Sequence, residues 1–134
     1  MRTRTTAIVT AGLLLTTLTA CGSSDKEDTK VDTPKPPAYT VANKKEKTKT
    51  GSADLVIPNA TVAGAKAAIQ DYAKTIDGLL NYSITVVRSN ADKTYVCRGE
   101  WVKDEQAAEI YTGGRITSDT WPALDMNCPD PKGS

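Results

Sequence analysis

The groups in this chain that could do chemistry are few: cysteines at 21, 97 and 128, a scatter of carboxylates, and no histidine. Without histidine the commonest general base, the commonest metal ligand and the usual switch near neutral pH are all missing. Nucleophilic catalysis would then need a serine paired with a lysine or a carboxylate, and no serine occupies a recognisable nucleophile setting. What remains is carboxylate chemistry of the glycosidase kind, for which Glu100, Asp104 and Asp119 are the candidates. It needs two carboxyl groups facing each other across a cleft, and nothing in their spacing shows such a pair. Asp104, Glu105 and Glu109 match no calcium loop and read as the solvated face of a helix. Gly113-Gly114-Arg115 is too short for a phosphate loop. Cys97 and Cys128 have no third ligand in view. The sequence therefore assigns no catalytic residue, no metal and no cofactor.

Cys21 has a different setting. Arg2 and Arg4 precede an apolar run over residues 7–18, and small residues stand directly before the cysteine, which is the layout of a secretory signal. The run is interrupted by Thr10, Thr16 and Thr17 and is shorter than the ~20 residues a membrane span requires. Leu18-Thr19-Ala20-Cys21 resembles the lipobox of bacterial membrane lipoproteins, a likeness confined to the N-terminal segment. That resemblance implies removal of residues 1–20 as a signal peptide, a diacylglyceryl group on the Cys21 thiol, and acylation, as by palmitate, of the new amine. At about 0.8 kcal/mol per buried methylene, two or three acyl chains anchor a protein almost permanently. The expected location is the cell membrane, lipid-anchored on the extracytoplasmic side. Disulfides persist there, and with Cys21 assigned to lipid, Cys97 and Cys128 are expected to bond. Closing a loop of roughly thirty residues contributes about 3.5 to 4 kcal/mol by chain entropy.

Those groups must be positioned by one small domain, since 134 residues less a signal leave room for no second core. Residues 21–57 are rich in Gly, Ser, Thr, Pro, Lys and Asp and read as a disordered tether, stiffened by Pro34, Pro36 and Pro37. Residues 58–134 read as the folded domain. Val62, Ala65, Ile69, Tyr72, Ile76 and Leu79 recur at helical spacing, with Asn59 or Thr61 to cap the start and Gly78 with Asn81 to mark the end. Residues 82–88 alternate as a strand with Tyr82, Ile84 and Val86 on one face. After a turn over residues 89–93, a strand over 94–102 sets Tyr95, Cys97 and Trp101 against Val96, Arg98, Glu100 and Val102, and Gly99 permits a bulge or a close contact. Residues 103–111 read as a short helix stopped by Gly113-Gly114. Leu124, Met126 and Cys128 share a face of a last strand that Pro122 limits to an edge or a late start. The expected fold class is α+β: an N-terminal helix packed on a three-stranded, mostly antiparallel sheet, with a short second helix and one disulfide.

The formal charge is +1, and no concentrated basic face points to nucleic acid. Anchor, tether and a stapled domain together read as an interaction module for a protein or cell-wall polymer, with Trp101, Tyr111 and Trp121 as candidate contact aromatics. A carboxylate-dependent wall hydrolase and an exclusion or inhibitor lipoprotein are the alternatives. Replacing Cys21 with serine is expected to abolish the acyl mass increment and detergent-phase partitioning; an unaltered mass and partition would overturn the anchor.

Overall fold

The computed structural model of the chain describes residues 34–92 and 94–130. The signal segment 1–20, Cys21 and the start of the expected tether lie outside the described residues. The strands are β1 (Thr40–Glu46), β2 (Thr50–Val56), β3 (Asn81–Val87), β4 (Cys97–Val102) and β5 (Ala123–Asn127), and the helices are α1 (Val62–Ala73) and α2 (Glu105–Thr112). The strands form one mixed sheet in the order β1-β2-β3-β4-β5. β2 and β3 are parallel and the other pairs antiparallel.

This corrects the expected three-stranded, mostly antiparallel sheet led by an N-terminal helix. The two extra strands come from residues 40–56, inside the stretch read as tether. β2 carries a short alternation, Ala53 and Leu55, that continues to Ile57, and all three are buried. Pairing with β3 along its whole length gives that weak pattern a place in the core. β1 then covers the outer side of β2 as an edge strand. Its lysines, Lys44 and Lys45, are exposed and discourage pairing with another chain. The β1–β2 register shifts between Ala42 and Lys45. Asn43 occupies the irregularity at φ 49°, a conformation asparagine tolerates better than most residues, and its amide donates to Asp54 Oδ2 at 2.8 Å.

α1 joins β2 to β3. Parallel neighbours cannot be linked by a tight turn, so the connection must cross one face of the sheet. Thr61 caps it, its Oγ1 accepting from the Gly64 N–H at 3.1 Å. The helix ends at Ala73, earlier than the Gly78 and Asn81 signals implied, yet Ile76 and Leu79 still reach the core from the loop that follows. Under the helix lie Ala53, Leu55, Tyr82, Ile84, Val86, Cys97 and Trp101, with Leu124, Met126 and Cys128 at the margin. Gly99 is the point of closest approach: a Cβ there would fall 2.5 Å from Ile69 Cγ2. The disulfide joins Cys97, fully buried on β4, to Cys128 just past β5.

One expected strand begins late. Val86 is the register partner of Cys97, yet its carbonyl also accepts from the Val96 N–H at 2.8 Å. Two residues thus address one, as in a bulge, and the alternation breaks. Val96 turns into the core, while Tyr95 stands beside Arg98, whose Cζ lies 4.7 Å from its ring centre.

Two further devices fasten opposite ends of β3. Arg88 donates from Nη1 and Nη2 to the two oxygens of Asp130 at 3.0 and 3.1 Å, and from Nη2 to the Ala60 carbonyl at 2.8 Å. The Asp130 side chain is only 4% exposed, and removing one partner of a buried pair typically costs about 3–5 kcal/mol. At the other end the hydroxyls of Tyr72 and Tyr82 lie 3.0 Å apart, and Tyr39 donates to Asp71 Oδ2 at 3.0 Å. Burial, then the Asp71 hydrogen bond, pushes the Tyr39 phenol up to about 12. Burial and the bond to Tyr72 raise Tyr82 as well.

Gly99→Ala is expected to destabilise the fold by about 1–3 kcal/mol through overpacking. Most of that loss should vanish in an Ile69→Ala background, measured as a urea-denaturation cycle. An equal loss in both backgrounds would show that the helix contact is not its cause.

A candidate binding groove on the open sheet face

The sheet has one covered face. Val102 alternates with Trp101 on β4 and pairs with Ala123 on β5, so both point away from α1. A second, smaller cluster forms there: Val102, Ala107, Ala108, Ile116 and Ala123, with Leu80, Tyr111 and Trp121 packed against it. α2 therefore sits on the opposite face, at one end only. Asp104 starts it, Oδ1 accepting from the Ala107 N–H at 2.8 Å, and Gly113 ends it at φ 61°, where a residue without a Cβ is favoured.

Most of the rest of that face is polar, apart from the Val56–Val87 pair at its far end. Register places Ser52, Ser83, Glu100 and Asp125 in one row across β2 to β5, and Asp54, Thr85, Arg98 and Asn127 in the next. Neighbouring rows are about 6.7 Å apart along the strands.

Over the β4–β5 end of these rows the segment that follows α2 folds back. Arg115 reaches down between the strands, Nη1 donating to Asp125 Oδ2 at 2.6 Å and Nη2 to Glu100 Oε2 at 2.5 Å. Glu100 also accepts through Oε1 from the Asn81 amide at 3.3 Å. The bond to Asp125, with the charges of both carboxylates, holds the Arg115 guanidinium above its ordinary range. On one side of Arg115 and Asp125 is a cavity of about 450 Å³ lined by residues 115–118, Thr120 and residues 122–125. On the other is one of about 220 Å³ lined by Tyr95, Arg98, Glu100 and Asn127 as well as Arg115 and Asp125. The two share the Arg115–Asp125 pair and are the two basins of the candidate groove; the first meets the polar rows only at Asp125, and the second borders them at Arg98, Glu100 and Asn127 as well.

The expected site residues fall in different places. Trp101 is 7% exposed in the core beneath α1, which removes it from any contact surface. Tyr111 and Trp121 are half-buried against α2's cluster, and neither lines the groove. Glu100 is in the groove, whereas Asp104 is spent on capping α2 and Asp119 lies in an exposed loop. Glu100 does meet a second carboxylate, Asp125, but a guanidinium occupies the space between them where a scissile bond would have to lie. The arrangement suits hydrogen bonding better than acid and base catalysis.

Arg98, Arg115, Asp125, Asn127 and Tyr95 are the groove residues that sequence reading missed. A signal for two of them existed: if Leu124, Met126 and Cys128 face the core, then Asp125 and Asn127 must face away from it. Arg115 had no such signal, because it lies in a loop with no periodicity.

Arg115→Ala is expected to leave the circular dichroism spectrum and the disulfide intact and to lower stability slightly. Because the lost ion pairs are exposed, the deficit should shrink as salt is raised. Urea unfolding at low and high salt tests this, and a deficit independent of salt would assign Arg115 a packing role instead.

No helix among the described residues is long and apolar enough to cross a membrane. No group of three or more histidine, cysteine or acidic side chains among them could hold a metal ion. No protein-family model, curated protein or solved structure matches this chain, so what the groove does has to be read from its own side chains.

Proposed function

We propose that the protein is a lipid-anchored, extracytoplasmic binding module that presents the open face of its sheet to a macromolecule outside the membrane. The observation that supports this most is the one-sided sheet. α1 buries the middle of one face, α2 covers an end of the other, and beyond α2 two rows of polar side chains and a groove are left to solvent. Ordinary surface needs no such groove, and the commonest binding sites are concave with a few convergent polar groups.

The N-terminal segment supports the placement of that module. A cysteine behind Leu18-Thr19-Ala20 would carry the anchor, and the residues between it and β1 would form the tether. β1 begins at Thr40, so the tether is shorter than the expected 21–57. Tyr39 is fastened to Asp71 and Pro37 lies beside Gly64 of α1, so at full extension the roughly sixteen residues before them would reach about 55 Å, enough to lift the domain clear of lipid headgroups.

The test is site-specific crosslinking in intact cells. A photoreactive residue in place of Asn127, on the open face, is expected to give discrete high-mass adducts. The same residue in place of Lys66, exposed on α1, is expected to give none. Equal labelling from both positions, or no adduct from either, would remove the binding-face reading.

A further inference from the structure

Resting on that reading, we infer that the groove takes a neutral, hydroxyl-rich glycan strand. The first ground is charge. Arg98 and Arg115 are matched in number by Glu100 and Asp125, and Arg115 is already shared between both carboxylates. A phosphate or uronate polymer would need uncompensated cations, and the groove offers none beyond Arg98.

The second ground is the hydrogen-bonding capacity left over. The side chains of Arg98, Asn127 and Thr117 make no hydrogen bond among the described residues, and Asp125 uses only Oδ2. Arg98 and Asn127 are cross-strand partners, so donor N–H groups lie beside an amide that both donates and accepts. Asp125 Oδ1, an acceptor, lies next to the Arg115 donors. A hydroxyl donates one hydrogen and accepts through two lone pairs, and vicinal hydroxyls present that combination repeatedly. Adjacent donors and acceptors with no strong net charge are the complement of a sugar edge.

The third ground is what the groove lacks. Protein interfaces gather their energy from buried aromatic and aliphatic anchors at a centre depleted of charge. Here the centre is an Arg–carboxylate clamp. The large exposed aliphatics among the described residues, Val41 on β1 and Ile110 on α2, line neither basin. Tyr95, at the rim, supplies a flat ring of the kind that packs on the apolar face of a pyranose, with Arg98 on one side of it.

Calorimetric titration of the full chain in detergent micelles tests this with the N-acetylglucosamine tetramer and maltotetraose as neutral probes and a polyphosphate as the anionic one. Saturable binding of at least one tetrasaccharide is expected, equal at low and high salt. Arg115→Ala and Asn127→Ala should each weaken it at least about tenfold, while Lys66→Ala leaves it unchanged. Chemical-shift changes on adding the tetrasaccharide should map to β4, β5 and residues 115–118. The inference is overturned if neither tetrasaccharide binds, if binding survives both groove substitutions, or if only polyphosphate binds and salt abolishes it. Where the oligosaccharides fail but position 127 still gives adducts in cells, the glycan assignment falls and the binding face stands. Where both fail, the two fall together.

Discussion

The contact of Ile69 with Gly99 decides which side of the sheet is interior. A helix that follows one strand and precedes its parallel neighbour has to cross the sheet, and here it lies so near β4 that no Cβ fits beneath it. On that side the core gathers the alternating residues of β2 and β3, the buried tryptophan, and the cysteine that ties β4 to the segment after β5. Everything on the other side depends on whatever else the chain can bring over it. What it brings is α2, with eight residues, and the segment after it, enough to cover the Val102–Ala123 pair and part of the β4–β5 end.

The polar face is a consequence of that shortage. A strand face that no layer covers must be soluble, and Ser52, Asp54, Ser83, Thr85, Arg98 and Asn127 make it so. The groove adds something further, because Arg115 is held by residues on two strands and walls a hollow it shares with Tyr95, Arg98, Glu100 and Asn127. Comparison with Arg88 shows what burial changes. Both arginines bind carboxylates, but Arg88 and Asp130 are enclosed and fasten the segment after β5 to the end of β3, whereas Arg115 and its partners are open to solvent. The first pair belongs to stability and the second to a surface.

Several local features were legible in advance. The stripe from Val62 to Tyr72 is a helix with Thr61 at its cap, β3 alternates as read, Gly113 stops α2, and Cys97 is bonded to Cys128. Residues 40–56 were not legible as strands. Their lysines and threonines have the composition of a solvated tether, and the alternation of Ala53, Leu55 and Ile57 is too short to outweigh it. Tyr95 and Val96 were read on the wrong sides because the bulge opposite Val86 is set by hydrogen bonds to another strand. Of the groove, Glu100 was named in advance among three candidate carboxylates, while Asp125, the carboxylate beside it, was not.

What the sequence alone determined is what neighbouring residues settle among themselves: helix periodicity, caps, stops, strand alternation within β3, and a single possible partner for each of two cysteines once the third is assigned elsewhere. Tertiary structure decided which segments joined the sheet, which face stayed open, and that Arg115 would meet Glu100 and Asp125 rather than solvent. The physical reason is range. Periodicity is written within a few turns of chain, whereas an edge strand or a shared guanidinium exists only because distant segments, each indifferent alone, supply the hydrogen bonds and the buried surface that hold it in place.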